Sequence, residues 1–120
     1  PGPGFTVAAN RQWTPTHITV RRGETVTFES TGQIRLSGNR NDLANVNGSL
    51  TQRYAGGSPL PQNPAGALIG RIGNGAPFPI GGQTSLQMPA AGTLYLGVND
   101  DDVSDNAGHF NVVVTQRRRR

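Results

Sequence analysis

The sequence contains no cysteine and no lysine, and it has no long run of apolar residues. Without cysteine, neither a disulfide framework nor a metal site built on thiolates can form. Because a membrane-spanning helix needs about 20 consecutive apolar residues, we expect no insertion into a bilayer. Helix signals are also scarce, since 17 glycines and 9 prolines interrupt the 120 residues. Short apolar runs between turn residues favour strands.

The basic residues give little support for nucleic-acid binding. The formal charge is +4, and the four terminal residues, Arg117 to Arg120, account for all of it. The other seven arginines equal the seven acidic residues in number, and they are scattered without an aromatic-rich basic stripe. We therefore expect one domain over residues 1–116, a basic C-terminal tail over 117–120, and no nucleic-acid partner.

The apolar pattern predicts an all-β protein. Short alternating segments separated by Gly, Pro and Asn turns are typical of an antiparallel β-sandwich, here with about eight or nine strands. Residues 37–65 show no such pattern and are predicted to be an irregular loop that either has a function or is partly disordered. The predicted strands cover residues 5–9, 18–21, 24–29, 33–36, 67–72, 78–80, 84–88, 93–98 and 109–115.

Residues 99–106, which we call the acidic loop, read Asn-Asp-Asp-Asp-Val-Ser-Asp-Asn and hold four of the seven acidic side chains. At an effective dielectric of about 20, two carboxylates about 5 Å apart repel by about 3 kcal/mol. The loop is therefore either splayed into water, as a solvated turn between strands, or neutralised by a cation. Its aspartates and asparagines offer only hard oxygen ligands, which Ca²⁺ prefers. An EF-hand does not fit, because Asp105 falls where glycine is required.

Several segments resemble the LecA-like galactose-binding lectins, as a distant member would. They are Gly66-Ala67-Leu68-Ile69-Gly70-Arg71-Ile72-Gly73-Asn74, then Asn99-Asp100, and finally Asp105-Asn106-Ala107-Gly108-His109-Phe110. The likeness covers residues 66–114 and continues more weakly into residues 21–24 and 30–32. It implies a small jelly-roll-like β-sandwich in which one calcium ion bridges loop carboxylates and the hydroxyls of a bound sugar.

The resemblance also implies roles for individual residues. Its calcium ligands would be the side chains of Asp100, Asp105 and Asn106, with main-chain oxygens from Leu36 and from Asp102 or Val103. Sugar contacts are expected from Asp100, Asp101 and Asp105. The family's His-Pro-x-Gln segment is missing, so galactose specificity is unsupported. In its place, residues 40–57 offer Asn41, Gln52 and Tyr54 as further ligand-binding candidates.

On this resemblance we expect a calcium-dependent, lectin-like carbohydrate-recognition module of an extracellular bacterial protein, secreted or at the cell surface, with a glycan as partner. Catalysis is not expected. His17 and His109 have no accompanying nucleophile signature and are predicted to be surface strand residues, and the carboxylates crowd one loop instead of flanking a bond. The alternative is a structural subunit of an extracellular filament or multidomain assembly in which calcium is purely structural. Assembly into a homo-oligomer or a filament is the further partner prediction.

Overall fold

The computed structural model describes residues 2–117 and confirms the predicted all-β, antiparallel sandwich. The predicted tail lies outside the described residues, apart from Arg117, which ends the last strand. No helix able to span a membrane occurs among the described residues. The ten strands are β1 (Gly4–Ala8), β2 (Trp13–Val20), β3 (Thr25–Arg35), β4 (Leu43–Asn45), β5 (Gly48–Ser49), β6 (Leu68–Ile72), β7 (Phe78–Pro79), β8 (Ser85–Gln87), β9 (Gly92–Val98) and β10 (Ala107–Arg117).

The strands form two sheets that face each other across one apolar core. The first sheet has the order β1-β10-β3-β4-β5, with β8 also paired to β3, and the second has the order β2-β9-β6-β7. Alternate side chains of each strand point between the sheets. The largest of these buried side chains include Phe28, Phe110, Ile34, Leu68 and Leu96. Because β9 belongs to one sheet and β10 to the other, the acidic loop between them crosses from sheet to sheet at one end of the sandwich.

Strand β3 runs through a point at which the sequence predicted a break. Residues 24–29 and 33–36 were expected to be separate strands, but Thr25–Arg35 pairs with β10 in one unbroken register. Gly32, which indicated a turn, lies opposite Phe110 with a φ of 123°. A Cβ at Gly32 would lie 2.8 Å from the His109 carbonyl oxygen. The glycine therefore permits close approach of two strands instead of ending one.

The second strand is longer than predicted at its start. The sequence indicated residues 18–21, whereas β2 begins at Trp13. Its pairing with β9 shifts between Pro15 and Thr19, and His17 lies within this irregularity at a φ of 60°. Proline and the shifted register mask the period-two alternation on which the prediction depended.

The segment of residues 37–65 is not wholly irregular. It contains the short hairpin of β4 and β5, and Tyr54 forms an isolated antiparallel bridge with Pro64. Strand β4 pairs with β3, which attaches the hairpin to the edge of the first sheet. We call residues 37–65 the long loop. Its attachment to the sheet holds it beside the acidic loop.

Gly32→Ala tests the strand crossing. The added Cβ clashes with backbone of β10, and the positive φ disfavours any L side chain. We expect the free energy of unfolding to fall by at least about 1 kcal/mol, measured by urea denaturation. Gly38→Ala is the matched control, because nothing lies within 4 Å of a Cβ there. Equal stability of the two variants would contradict the close approach at Gly32.

Candidate functional site

Asn99, the first residue of the acidic loop, fastens that loop to the long loop. Its side chain is fully buried. The Nδ2 group donates to the carbonyl oxygens of Leu60, Asn63 and Pro64 at 2.9, 3.1 and 3.1 Å, and Oδ1 accepts from the Leu60 amide at 2.9 Å. The Asn99 side-chain oxygen is thus already used in holding the two loops together.

Asn106 fixes the other end of the acidic loop. Its Nδ2 donates to the Ala9 carbonyl at 3.0 Å, and its main-chain amide donates to the Val103 carbonyl at 3.1 Å. The residue is 7% exposed, yet its Oδ1 is buried and accepts no hydrogen bond. Both ends of the acidic loop are therefore fixed by asparagine side chains, and the Asn106 Oδ1 atom is left without a hydrogen-bond donor.

Asp100 is a buried carboxylate, 3% exposed. Its Oδ1 accepts from the Asp101 amide at 2.8 Å, whereas its buried Oδ2 has no hydrogen-bond partner. Burial raises the pKa of Asp100, and the neighbouring Asp101 carboxylate adds to the rise, while the Asn106 side-chain amide acts against it. A buried carboxylate oxygen without a donor is costly unless a positive charge approaches it.

The unpartnered atoms Asp100 Oδ2 and Asn106 Oδ1 are both oxygen ligands of the kind that a hard cation takes. Buried polar atoms in native proteins are nearly always satisfied, so two unsatisfied oxygens in one loop call for an explanation, and a bound ion is one. No group of three or more Asp, Glu, His or Cys side chains that could hold a metal occurs within residues 2–117. Amide and main-chain oxygens would have to complete the coordination. Calcium accepts such ligands readily, whereas zinc favours nitrogen and sulfur.

The remaining aspartates of the loop are exposed. The Asp102 carboxylate bonds within its own loop. Its Oδ1 accepts hydrogen bonds from the Ser104 amide at 3.0 Å and from the Ser104 hydroxyl at 2.6 Å. These hydrogen bonds lower the pKa of Asp102. Asp105 lies in the turn directly before Asn106. Asp101 approaches the long loop, since a Cβ on Gly57 would lie 3.3 Å from the Asp101 Cβ.

The two main-chain oxygens predicted as ligands lie in different surroundings. Leu36 is near the start of the acidic loop, because its side chain packs against Gly66 and the Gly66 amide donates to the Asn99 carbonyl at 2.7 Å. Within the loop, the Val103 carbonyl already accepts from Asn106. Of the two alternatives the sequence left open, Asp102 is therefore the better candidate. The assignment of both carbonyls to a metal stays a prediction.

An ion pair of the long loop faces the acidic loop. Arg53 holds Asp42 through two hydrogen bonds, Nε to Oδ1 at 3.2 Å and Nη2 to Oδ2 at 2.9 Å. Burial acts to raise the pKa of Asp42, but the bonds from Arg53 and Ser37 outweigh it and hold that pKa below its ordinary value. The bond to Asp42 raises the pKa of Arg53, and the charges of Asp100 and Asp101 contribute to the rise. Nothing in the spacing of Asp42 and Arg53 along the sequence indicated this pair.

The three ligand candidates of the long loop are not brought together. Asn41 is exposed in a turn, where its amide donates to Asn39 Oδ1 at 2.9 Å. Gln52 and Tyr54 instead line a cleft of about 470 Å³ that contains no residue of the acidic loop. His17 and His109 are exposed residues of β2 and β10, which confirms their predicted place on surface strands.

Comparison with solved structures identifies a similar protein. The chain superposes with a TM-score of 0.76 on the N-terminal domain of EclA, described as a PllA-like lectin, at 30% sequence identity and over 95% of each chain. No protein-family model matches the sequence, and no curated protein matches it.

Asn99→Ala tests the junction between the two loops. The substitution removes the partner of the Leu60 amide and of the Asn63 carbonyl, whereas the Leu60 and Pro64 carbonyls keep main-chain bonds from the Asn63 and Ala67 amides at 3.0 and 3.4 Å. Since each buried group left unsatisfied costs about 1–3 kcal/mol, we expect the free energy of unfolding to fall by about 3 kcal/mol in chemical denaturation. Asn111→Ala, at an exposed position of β10, should change it by less than about 0.5 kcal/mol. A similar small change in both variants would contradict the assigned role of Asn99.

The raised pKa of Asp100 predicts how the stability of the metal-free protein depends on pH. The folded state holds the Asp100 proton more tightly than the unfolded chain does, so the free energy of unfolding decreases as pH rises from the ordinary aspartate value of 3.8 through the folded pKa. Asp100→Asn removes this pH dependence, because an amide does not titrate. With chelator present, the variant should be more stable than the wild type at pH 7, but not at pH 3. Parallel pH profiles of the two proteins would contradict the buried, unfavourable carboxylate.

Proposed function

Because the chain belongs to the PllA-like lectins, we propose that it is a glycan-binding module whose site depends on calcium held by the acidic loop. The lectin assignment predicted from the sequence is confirmed, whereas the narrower assignment to LecA-like galactose-binding lectins stays a prediction. The observation that carries the calcium proposal is the pair of buried oxygens without donors, Asp100 Oδ2 and Asn106 Oδ1.

In this proposal Asp100 and Asn106 are the central ligands. Asp105, next to Asn106, and the carbonyls of Leu36 and Asp102 are the proposed remaining protein ligands. When bound, calcium offers open coordination positions to two neighbouring hydroxyl groups of a sugar. Asn99 and the Ala9 carbonyl hold the two ends of the loop, so Asp100 and Asn106 stay in place while a ligand binds.

Two charged side chains at the edge of the loop are suited to contact the sugar. Asp101 is exposed and accepts hydrogen bonds from hydroxyl groups. Arg53 uses Nε and Nη2 on Asp42, which leaves Nη1 to donate to a sugar oxygen. The Asp42 pairing fixes the direction of the guanidinium group, and a fixed donor discriminates better between hydroxyl orientations than a mobile one.

We propose binding without catalysis. Glycoside hydrolysis needs two carboxyl groups on opposite sides of the scissile bond. Here Asp100, Asp101, Asp102 and Asp105 all belong to one loop. The extracellular location and any homo-oligomer or filament remain proposals that accompany this function.

A glycan array tests the function directly. We expect the wild type to bind at least one glycan in calcium and to bind it at least about tenfold more weakly with chelator, and we expect Asp100→Asn to show the same weakening in calcium. Glu29→Gln, which removes the same charge from an exposed position on β3, should bind as the wild type does. Binding of equal strength in calcium and in chelator would refute the calcium requirement, and no binding in calcium would refute the glycan function.

Thermal melting tests the ion separately. A ligand at about 100 times its Kd stabilises the folded state by about 2.7 kcal/mol, which for a domain of this size raises Tm by about 10 °C. We expect calcium to raise the Tm of the wild type and of Glu29→Gln, but not that of Asp100→Ala or Asp105→Ala. Superimposable melting curves in calcium and in chelator would restore the interpretation of the acidic loop as a solvated turn.

A further inference from the structure

A second feature of the long loop has the properties of a sugar-binding surface. We call it the Tyr54 cleft, and it is lined by Asn45, Asn47, Gly48, Ser49, Leu50, Gln52, Tyr54 and Pro64. Within residues 2–117, the large hydrophobic side chains that are exposed are Leu50, at 51%, and Tyr54, at 56%. Both border this cleft. Exposed apolar side chains gathered at one concave site indicate a binding surface.

The backbone around Tyr54 is held in place on both sides. Tyr54 is bridged to Pro64, and the Ala65 amide donates to the Arg53 carbonyl at 2.8 Å. Gly48 packs so closely on Pro64 that a Cβ there would lie 2.5 Å from the Pro64 Cβ. The backbone that carries the exposed Tyr54 ring is therefore held in place, which reduces the conformational entropy that a ligand has to order on binding.

The polar lining suits hydroxyl groups of an uncharged ligand. Asn45 Oδ1 accepts from the Asn47 amide and Asn47 Oδ1 from the Gly82 amide, each at 2.8 Å, which fixes both side chains and leaves their Nδ2 groups as donors. Gln52 adds a third amide. No charged side chain lines the cleft, which disfavours nucleic acids and acidic or basic peptides. Amides beside an aromatic ring match the hydroxyl edge and apolar face of a neutral pyranose.

The Tyr54 cleft is separate from the acidic loop. Arg53 reaches Asp42 and is affected by the charges of Asp100 and Asp101, whereas the next residue, Tyr54, borders a cleft that contains none of them. Successive side chains of an extended segment point to opposite sides, which explains the division. The short segment that carries Arg53 and Tyr54 thus lies between two sites.

We propose that the Tyr54 cleft is a second sugar-binding subsite, which takes a neutral pyranose residue without a metal ion. The proposal rests on the glycan-binding function given above, but not on its calcium site. The module would then contact a glycan at two places, and the second contact would strengthen binding of ligands long enough to reach both.

NMR titration of the isotopically labelled protein in excess chelator tests the subsite, with the methyl hexopyranosides of galactose, glucose and mannose as probes. We expect at least one probe to cause saturable shifts of the backbone amides of residues 45–54. Tyr54→Ala should weaken this binding about tenfold, and Tyr54→Phe, which keeps the ring, should bind within about threefold of the wild type. Asp100→Asn should bind as the wild type does.

The proposal is overturned if none of the three probes shifts residues 45–54 saturably, or if Tyr54→Ala binds as well as the wild type with an unchanged Tm. The two proposals fail in different ways. Absence of calcium-dependent glycan binding, together with saturable shifts at residues 45–54, would refute the calcium-site proposal alone. Shifts confined to the acidic loop would refute the Tyr54 cleft proposal alone.

Discussion

The side chain of Asn99 is the interaction on which the rest of the candidate site depends. It is fully buried, and it joins the end of β9 to the Leu60, Asn63 and Pro64 backbone through four hydrogen bonds. Through this junction, one side chain fixes where the two loops meet. On one side the position of Asp100 follows from it, and on the other the position of Pro64 and hence of Tyr54.

The acidic loop combines firm anchoring with unfavourable electrostatics. Asn99 and Asn106 hold its ends, and between them the buried Asp100 carboxylate has an Oδ2 atom without a hydrogen-bond partner. A folded protein keeps such an arrangement only if the rest of the structure over-determines it or if a ligand relieves it. The hydrogen bonds of Asn99 and Asn106 over-determine the loop, and the proposed ion would relieve the unfavourable charge of Asp100. Arg53, the basic side chain facing the loop, is already paired with Asp42.

Much of the fold could be predicted, because period-two alternation and turn residues are local signals. That was sufficient for the sandwich and for a loop delivered between β9 and β10. These signals were not sufficient at Gly32, which was predicted to mark a turn but instead lies within β3, where it permits close approach of the β10 backbone. Nor were they sufficient for β2, whose irregular pairing hides the alternation.

The site was predictable in its charge but not in its connections. Four aspartates in eight residues are visible in the sequence, and so is the hard-oxygen chemistry they offer. In the sequence, an asparagine that hydrogen-bonds two loops together cannot be told from one that binds a metal. The structure was therefore needed to distinguish the roles of Asn99 and Asn106. The pairing of Arg53 with Asp42 and the gathering of Leu50 with Tyr54 are likewise tertiary contacts without a local signal.

The most direct test of the calcium account is a crystal structure of the protein grown with calcium. The account predicts one ion coordinated by Asp100 Oδ2 and Asn106 Oδ1, the two oxygens that lack donors. The calcium account would be contradicted by a structure at saturating calcium in which these atoms bind only water. It would also be contradicted if the Arg53 guanidinium left Asp42 and occupied the position predicted for the ion.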